Sequence, residues 1–233
     1  MSFRVKFLVI LASIYVVQVI SYHWMGIDYP SVLALFPADS PMFRWWQVFT
    51  FSLTAPPKLT ILYVWEIWVI FSLAEPVVAS LGRFSFLVLF FGASLFSILT
   101  WWLCSSLFEF MHVPALGFSA STFAILTVFC RTHKTATLKA LLLPLTMRAL
   151  HFFYFCVFAS VVAFLARENP HFGLDIGGLV FAVLYTRGGE RLFLGTARWL
   201  ATAPLKMGLY RRRRRPDIRL VKTSSNPNSD STD

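Results

Sequence analysis

Apolar runs of ~17–25 residues recur along this chain, and no other feature limits its fold so strongly. A helix of that length crosses ~30 Å of hydrocarbon, and the runs lack the period-2 alternation of an outer-membrane strand. Lipid offers no hydrogen bonds to a bare backbone, so each run has to satisfy its own N–H and C=O groups. The expected fold class is therefore an all-α membrane protein. Composition agrees, because 57% of residues are hydrophobic and 14% charged, with a mean hydropathy of +0.66. A soluble domain with a large core does not reach that balance.

Arg4 and Lys6 precede an apolar run from Phe7 to Ile20. Signal peptides share that layout, but the chain continues Ser21-Tyr-His-Trp with no small-residue cleavage site, so a retained first span is expected. Gly26 to Pro57 reads as a long interfacial loop, with Trp45 and Trp46 suited to the headgroup zone. The second span is Leu59 to Ala79, ending near Glu75-Pro76, and the turn Leu81-Gly82-Arg83 makes the second and third spans antiparallel neighbours. The third runs from Phe84 to Leu107, and the fourth from about Ala115 to just before Arg131. A basic linker with an apolar piece broken by Pro144 leads to the fifth, Ala149 to Ala166, and the sixth is Gly173 to Tyr185.

Six spans place both termini on one side. That side collects Arg4, Lys6, Arg83, Arg131, Lys134, Lys139, Arg148 and the basic tail, while the other receives Arg44, Lys58 and Arg167. The positive-inside rule makes the termini cytoplasmic. Residues 1–190 thus form the membrane domain, 191–216 a basic interfacial segment and 217–233 a disordered polar tail. The net charge of +10 does not point to nucleic acid, because 11 of the 21 Lys and Arg residues lie in the last 47 positions, beside the spans. Arg211, Arg212, Arg213, Arg214 and Arg215 are expected to meet anionic lipid. Cys104, Cys130 and Cys156 lie inside apolar runs with no metal-ligand spacing, and no cofactor is suggested.

The spans carry polar groups that demand an account. Ser119 stands in a stretch reading Val113-Pro-Ala-Leu-Gly-Phe-Ser-Ala-Ser-Thr, placed a few residues inside the fourth span, either as a packing residue or as a nucleophile. Asp175 lies at matching depth in the sixth span, and Glu66 lies inside the second, where an interior hydrogen bond is expected. An ionisable residue in a span is costly and points to function, with snorkelling near a helix end as the plain alternative for Asp175. Gly178 and Ala182 have small-xxx-small spacing, so the fourth and sixth spans are expected to pack closely.

The order of these elements resembles the rhomboid superfamily of intramembrane serine proteases and their inactive relatives, from about Trp45 to Tyr185. Trp46-Gln-Val-Phe-Thr50 is similar to the family's Trp-Arg-x-x-Thr, and Glu75 with Gly82 to its Leu-Glu…Gly turn. Gly117-Phe-Ser-Ala stands where rhomboids have Gly-x-Ser-x, and Asp175-Ile-Gly-Gly where they have His-x-x-Gly. The resemblance implies that Ser119 is the nucleophile position and Asp175 the place of the catalytic histidine. The supporting His and Asn of the family's second span fall on Leu59 and Tyr63, and its loop arginine on Gln47. His171, four residues before Asp175, and His112 are candidate displaced bases.

The leading expectation is a pseudoprotease that binds or escorts the transmembrane segments of client proteins, entering between the second and fifth spans. The rival is an active endopeptidase with Ser119 as nucleophile and His171 or Asp175 as base. A small transporter using Asp175 and Glu66 is the third class, weakened by the absence of inverted repeats. The host membrane is expected to be a bacterial inner membrane or a eukaryotic endomembrane such as ER or Golgi.

Overall fold

The structure is a computed structural model that describes residues 3–56, 61–108, 113–139 and 146–189. Expectations for His112, Leu59, the segment 191–216 with its five arginines and the tail 217–233 fall outside the described residues.

Three helices are long and apolar enough to cross a membrane: α1 (Phe3–His23), α4 (Ile61–Leu81) over its Tyr63–Leu81 portion, and α5 (Arg83–Leu107). A shorter apolar helix, α7 (Ala149–Leu165), joins them. Their outward faces are apolar, with Val9, Val16, Val17, Leu95, Leu99, Leu103, Phe158 and Leu165 all exposed. A skin of that kind suits lipid and not water. Inward faces carry the small and polar residues. On α5 the buried positions include Ser85, Ala93, Ser94, Ser97 and Ser105, which is how membrane helices approach one another without a hydrophobic driving force.

The bundle is built around α6 (Ser119–Thr132), in which every residue from Ala120 to Cys130 is buried. Its small and hydroxyl-bearing residues, Ala120, Ser121, Thr122 and Ala124, let neighbouring helices close on it. It leans on α4, α5 and α8 (Phe172–Leu184). Ser94 and Ser121 share a 2.7 Å hydrogen bond, and Ser121 Oγ also donates to the Phe90 carbonyl at 2.6 Å. Helix α8 runs antiparallel to α5, with Thr100 Oγ1 donating to Gly173 O near one end and Tyr185 donating to Ser85 O near the other. The sequence pointed to α6 as the close neighbour of α8, but α8 packs on α5 more extensively still, because Gly173 and Gly177 lie against Trp101, Thr100 and Ser97.

Several boundaries differ from the sequence reading. Helix α4 continues through Glu75 and Pro76 to Leu81 instead of ending there. Glu75 pairs with Arg4 of α1 at 3.3 Å, and Gly82 alone separates α4 from α5. Gly26 to Pro57 is not a plain loop. It holds α2 (Tyr29–Leu33), α3 (Gln47–Thr50) and a 3-10 turn, Phe51–Leu53. Within it Gln47 is fully buried and makes four side-chain hydrogen bonds: it accepts from the Arg44 and Phe36 amides at 3.0 and 3.4 Å, and donates to the Met42 and Val32 carbonyls at 3.1 and 3.4 Å. The all-α expectation also missed a short antiparallel hairpin, β1 (Thr137–Lys139) with β2 (Thr146–Arg148), in the basic linker.

Candidate functional site

The fourth span does not begin at Ala115. Ala115 is extended and exchanges hydrogen bonds of 2.8 and 2.9 Å with Leu35 of the first loop. Gly117 donates to Phe51 O at 3.1 Å and has φ 89°, a left-handed conformation that strains any residue with a Cβ. That turn ends the extended segment and starts α6 at Ser119, its first residue. Ser119 therefore lies at the helix start, nearer the loop layer than a span beginning at Ala115 would put it.

Opposite it, α8 begins just after His171 and carries Asp175 in its first turn. Gly178 sets the separation of α6 and α8. A Cβ there would collide with the Ala120 carbonyl oxygen and come within 2.8 Å of its Cα. Asp175 is buried, and its Oδ2 accepts hydrogen bonds from Ser160 of α7 at 2.6 Å and from Asn169 at 3.0 Å. Asn169 also donates to Ser160 Oγ at 3.1 Å and accepts from the His171 amide at 3.1 Å. Sequence reasoning did not single out Ser160 or Asn169. Two signals were available: a hydroxyl amid the aromatic residues of the fifth span, and an Asn-Pro pair where a turn has to form.

A cavity of about 670 Å³ brings Ser119, Asp175, His171 and Glu66 together. Its side walls include Trp65 of α4 and Phe155, Ala159 and Ala163 of α7. Both helices pack on α6, and between them Trp68 and Phe152 meet edge-on at 6.2 Å. Glu66 does not make the interior hydrogen bond expected of it among the described residues. Its carboxylate lies beside Gly117 and close enough to Asp175 for mutual repulsion.

The chemical capacity of this arrangement turns on the Ser119 hydroxyl. It stands near the Asp175 carboxylate, yet it is buried without a partner at hydrogen-bond geometry. His171 Nδ1 is likewise buried and unpartnered. His171 lies in the connection between α7 and α8, where burial lowers its imidazole to about 4 and leaves it neutral at pH 7. A neutral imidazole can accept a proton, but one so weakly basic drives the transfer poorly. Among the described residues no group of His, Cys, Asp and Glu is placed to hold a metal ion.

Apolar helices of spanning length with exposed apolar faces, packed around a buried central helix, define an integral membrane protein. The Rhomboid domain matches residues 44–189, most of the chain, and the protein belongs to the rhomboid family. No curated protein matches the sequence.

Proposed function

We propose that this chain is a rhomboid pseudoprotease that binds or escorts the transmembrane segments of client membrane proteins without cutting them. The observation that carries the reading is the Ser119 hydroxyl, buried in the cavity near the Asp175 carboxylate but with no base at hydrogen-bond geometry among the described residues. A serine hydroxyl is a poor nucleophile until a base takes its proton. Losing the histidine of a soluble serine protease costs on the order of a millionfold in turnover. Asp175, in the histidine's place, is committed to Ser160 and Asn169.

In this reading α1, α4, α5, α6, α7 and α8 each cross the bilayer, with both termini cytoplasmic. The alternation is supported by Arg4 meeting Glu75 near the far end of α4, while Tyr15 meets Tyr63 near its start in a tilted ring contact at 5.3 Å. A client helix enters laterally between α4 and α7 and offers polar groups to the cavity. Arg211 to Arg215 hold the tail to anionic headgroups, adding ~1 kcal/mol per basic residue near the surface.

The active-protease reading draws on the same cavity, since Ser119, Asp175 and His171 all line it. A fluorophosphonate probe separates the two. The purified protein is expected to remain unlabelled, and labelling that Ser119→Ala abolishes would overturn the pseudoprotease reading.

A further inference from the structure

The cavity has an unbalanced charge. Glu66 and Asp175 both line it, and Glu168 stands exposed among its lining residues. Among the described residues no lysine or arginine lines it, and His171 is the one basic side chain that does. The one ion pair among the described residues is Arg4 with Glu75, far along α4 from this site. Asp175 is half satisfied by two hydrogen bonds from neutral groups, while Glu66 has neither an ion pair nor a hydrogen bond among the described residues. The Ser119 hydroxyl and His171 Nδ1 add two buried polar atoms without partners.

Two carboxylates turned towards one chamber repel each other unless one of them takes up a proton or a cation arrives between them. The described loop residues that line it, among them Pro56, Glu168, Asn169, Pro170 and His171, include no lysine or arginine. Between α4 and α7 its walls are Trp65, Phe155, Ala159 and Ala163. A cation reaching the chamber by that route has to be carried by something that itself belongs in lipid.

Resting on the client-binding reading above, we propose that the cavity selects transmembrane segments bearing a lysine or arginine in their outer portion. The cationic side chain lies between Glu66 and Asp175, and the Ser119 hydroxyl accepts a hydrogen bond from its N–H. The apolar remainder of the client helix packs against Trp65 and Phe155. Depth fixes where the basic residue stands. Glu66, Ser119 and Asp175 each lie within about two turns of the start of their helices, so the client's basic residue lies about two turns from its own outer end. A basic residue inside lipid is costly for the client alone. The chamber relieves that cost, which gives a reason for such clients to bind and apolar ones to pass by.

The test uses the full chain in nanodiscs of phosphatidylcholine, whose neutral headgroups do not attract cationic peptides by themselves. Four dye-labelled Leu/Ala spanning peptides differ only at a position about two turns from the outer end, carrying Lys, Gln, Glu or Leu. Energy transfer gives each Kd. The Lys peptide is expected to bind at least about tenfold more tightly than the Leu and Gln peptides, and Glu66→Gln with Asp175→Asn to abolish the ratio. Because the readout is a ratio on one preparation, a poorly folded variant weakens all four peptides alike and is recognised as such. The single change Glu66→Lys then provides the second check, since it is expected to shift preference towards the Glu peptide. Equal binding of Lys, Gln and Leu peptides would overturn the charge proposal while leaving client binding intact. Binding of none of the peptides would overturn both.

Discussion

Gln47 shows how one side chain can organise a loop. Its amide bonds to Phe36, Arg44, Met42 and Val32, and all four partners are backbone groups, of which the Val32 carbonyl also accepts from the Trp46 indole at 3.1 Å. Truncating a buried hub of this kind strands its partners at ~1–3 kcal/mol. Gln47→Ala is expected to lower thermal stability by that amount and to raise amide exchange across residues 32 to 47. His171 makes a second residue-scale prediction. The unfolded imidazole takes up a proton near pH 6.5, the folded one near 4, so the unfolded state binds more protons between those values. Stability present above pH 6.5 should fall on acidification towards pH 4, by up to about 3 kcal/mol. His171→Gln should remove that slope in a pH series of thermal unfolding in detergent. At this scale the sequence was partly legible. Ser119, Asp175 and Glu66 stood out because charge and hydroxyls are rare in apolar runs. Ser160 and Asn169 did not, because their role is to hold Asp175, and a partner 15 residues away leaves no local pattern.

Helix α6 is short, and its shortness explains most of the boundary differences. Ala115 is as apolar as a helix interior, yet it is drawn into a bridge with Leu35, 80 positions away in sequence. No local periodicity records such a pairing, so the apolar run read as helix. The hairpin before α7 escaped for the same reason, since its register depends on a partner strand and not on composition. The small residues of α8 were legible as packing signals, but spacing alone did not say that α5 takes Gly173 and Gly177 while α6 takes Gly178. Gly178→Val is expected to force α6 and α8 apart and to lower stability by ~1–3 kcal/mol or more through overpacking, measured by thermal unfolding. The wall of α7 supplies a contrasting prediction. Ala159 is exposed and lines the cavity, so Ala159→Trp should fill the entrance, leave the melting temperature within about 1 °C and reduce client capture severalfold.

The whole molecule combines a lipid-facing skin, a buried central helix and a cavity with acidic walls. The long apolar helices and the family resemblance were readable because lipid imposes length, apolarity and closure of the backbone on a span. A site around Ser119, Asp175 and Glu66 was expected from the sequence, and one cavity brings them together, but the apolar share of its lining, from Trp65, Phe123 and Phe155, was not expected. The account holds that this cavity receives a client helix and that Ser119 leaves it uncut. The most direct measurement places a photo-crosslinking amino acid at Phe155 of the full chain, co-reconstituted with a single-span client bearing an outer lysine, and weighs the captured client by mass spectrometry. The account predicts capture of the client at its full mass, unchanged after prolonged incubation and in Ser119→Ala alike. Client fragments cut within the span, lost in Ser119→Ala, would contradict it.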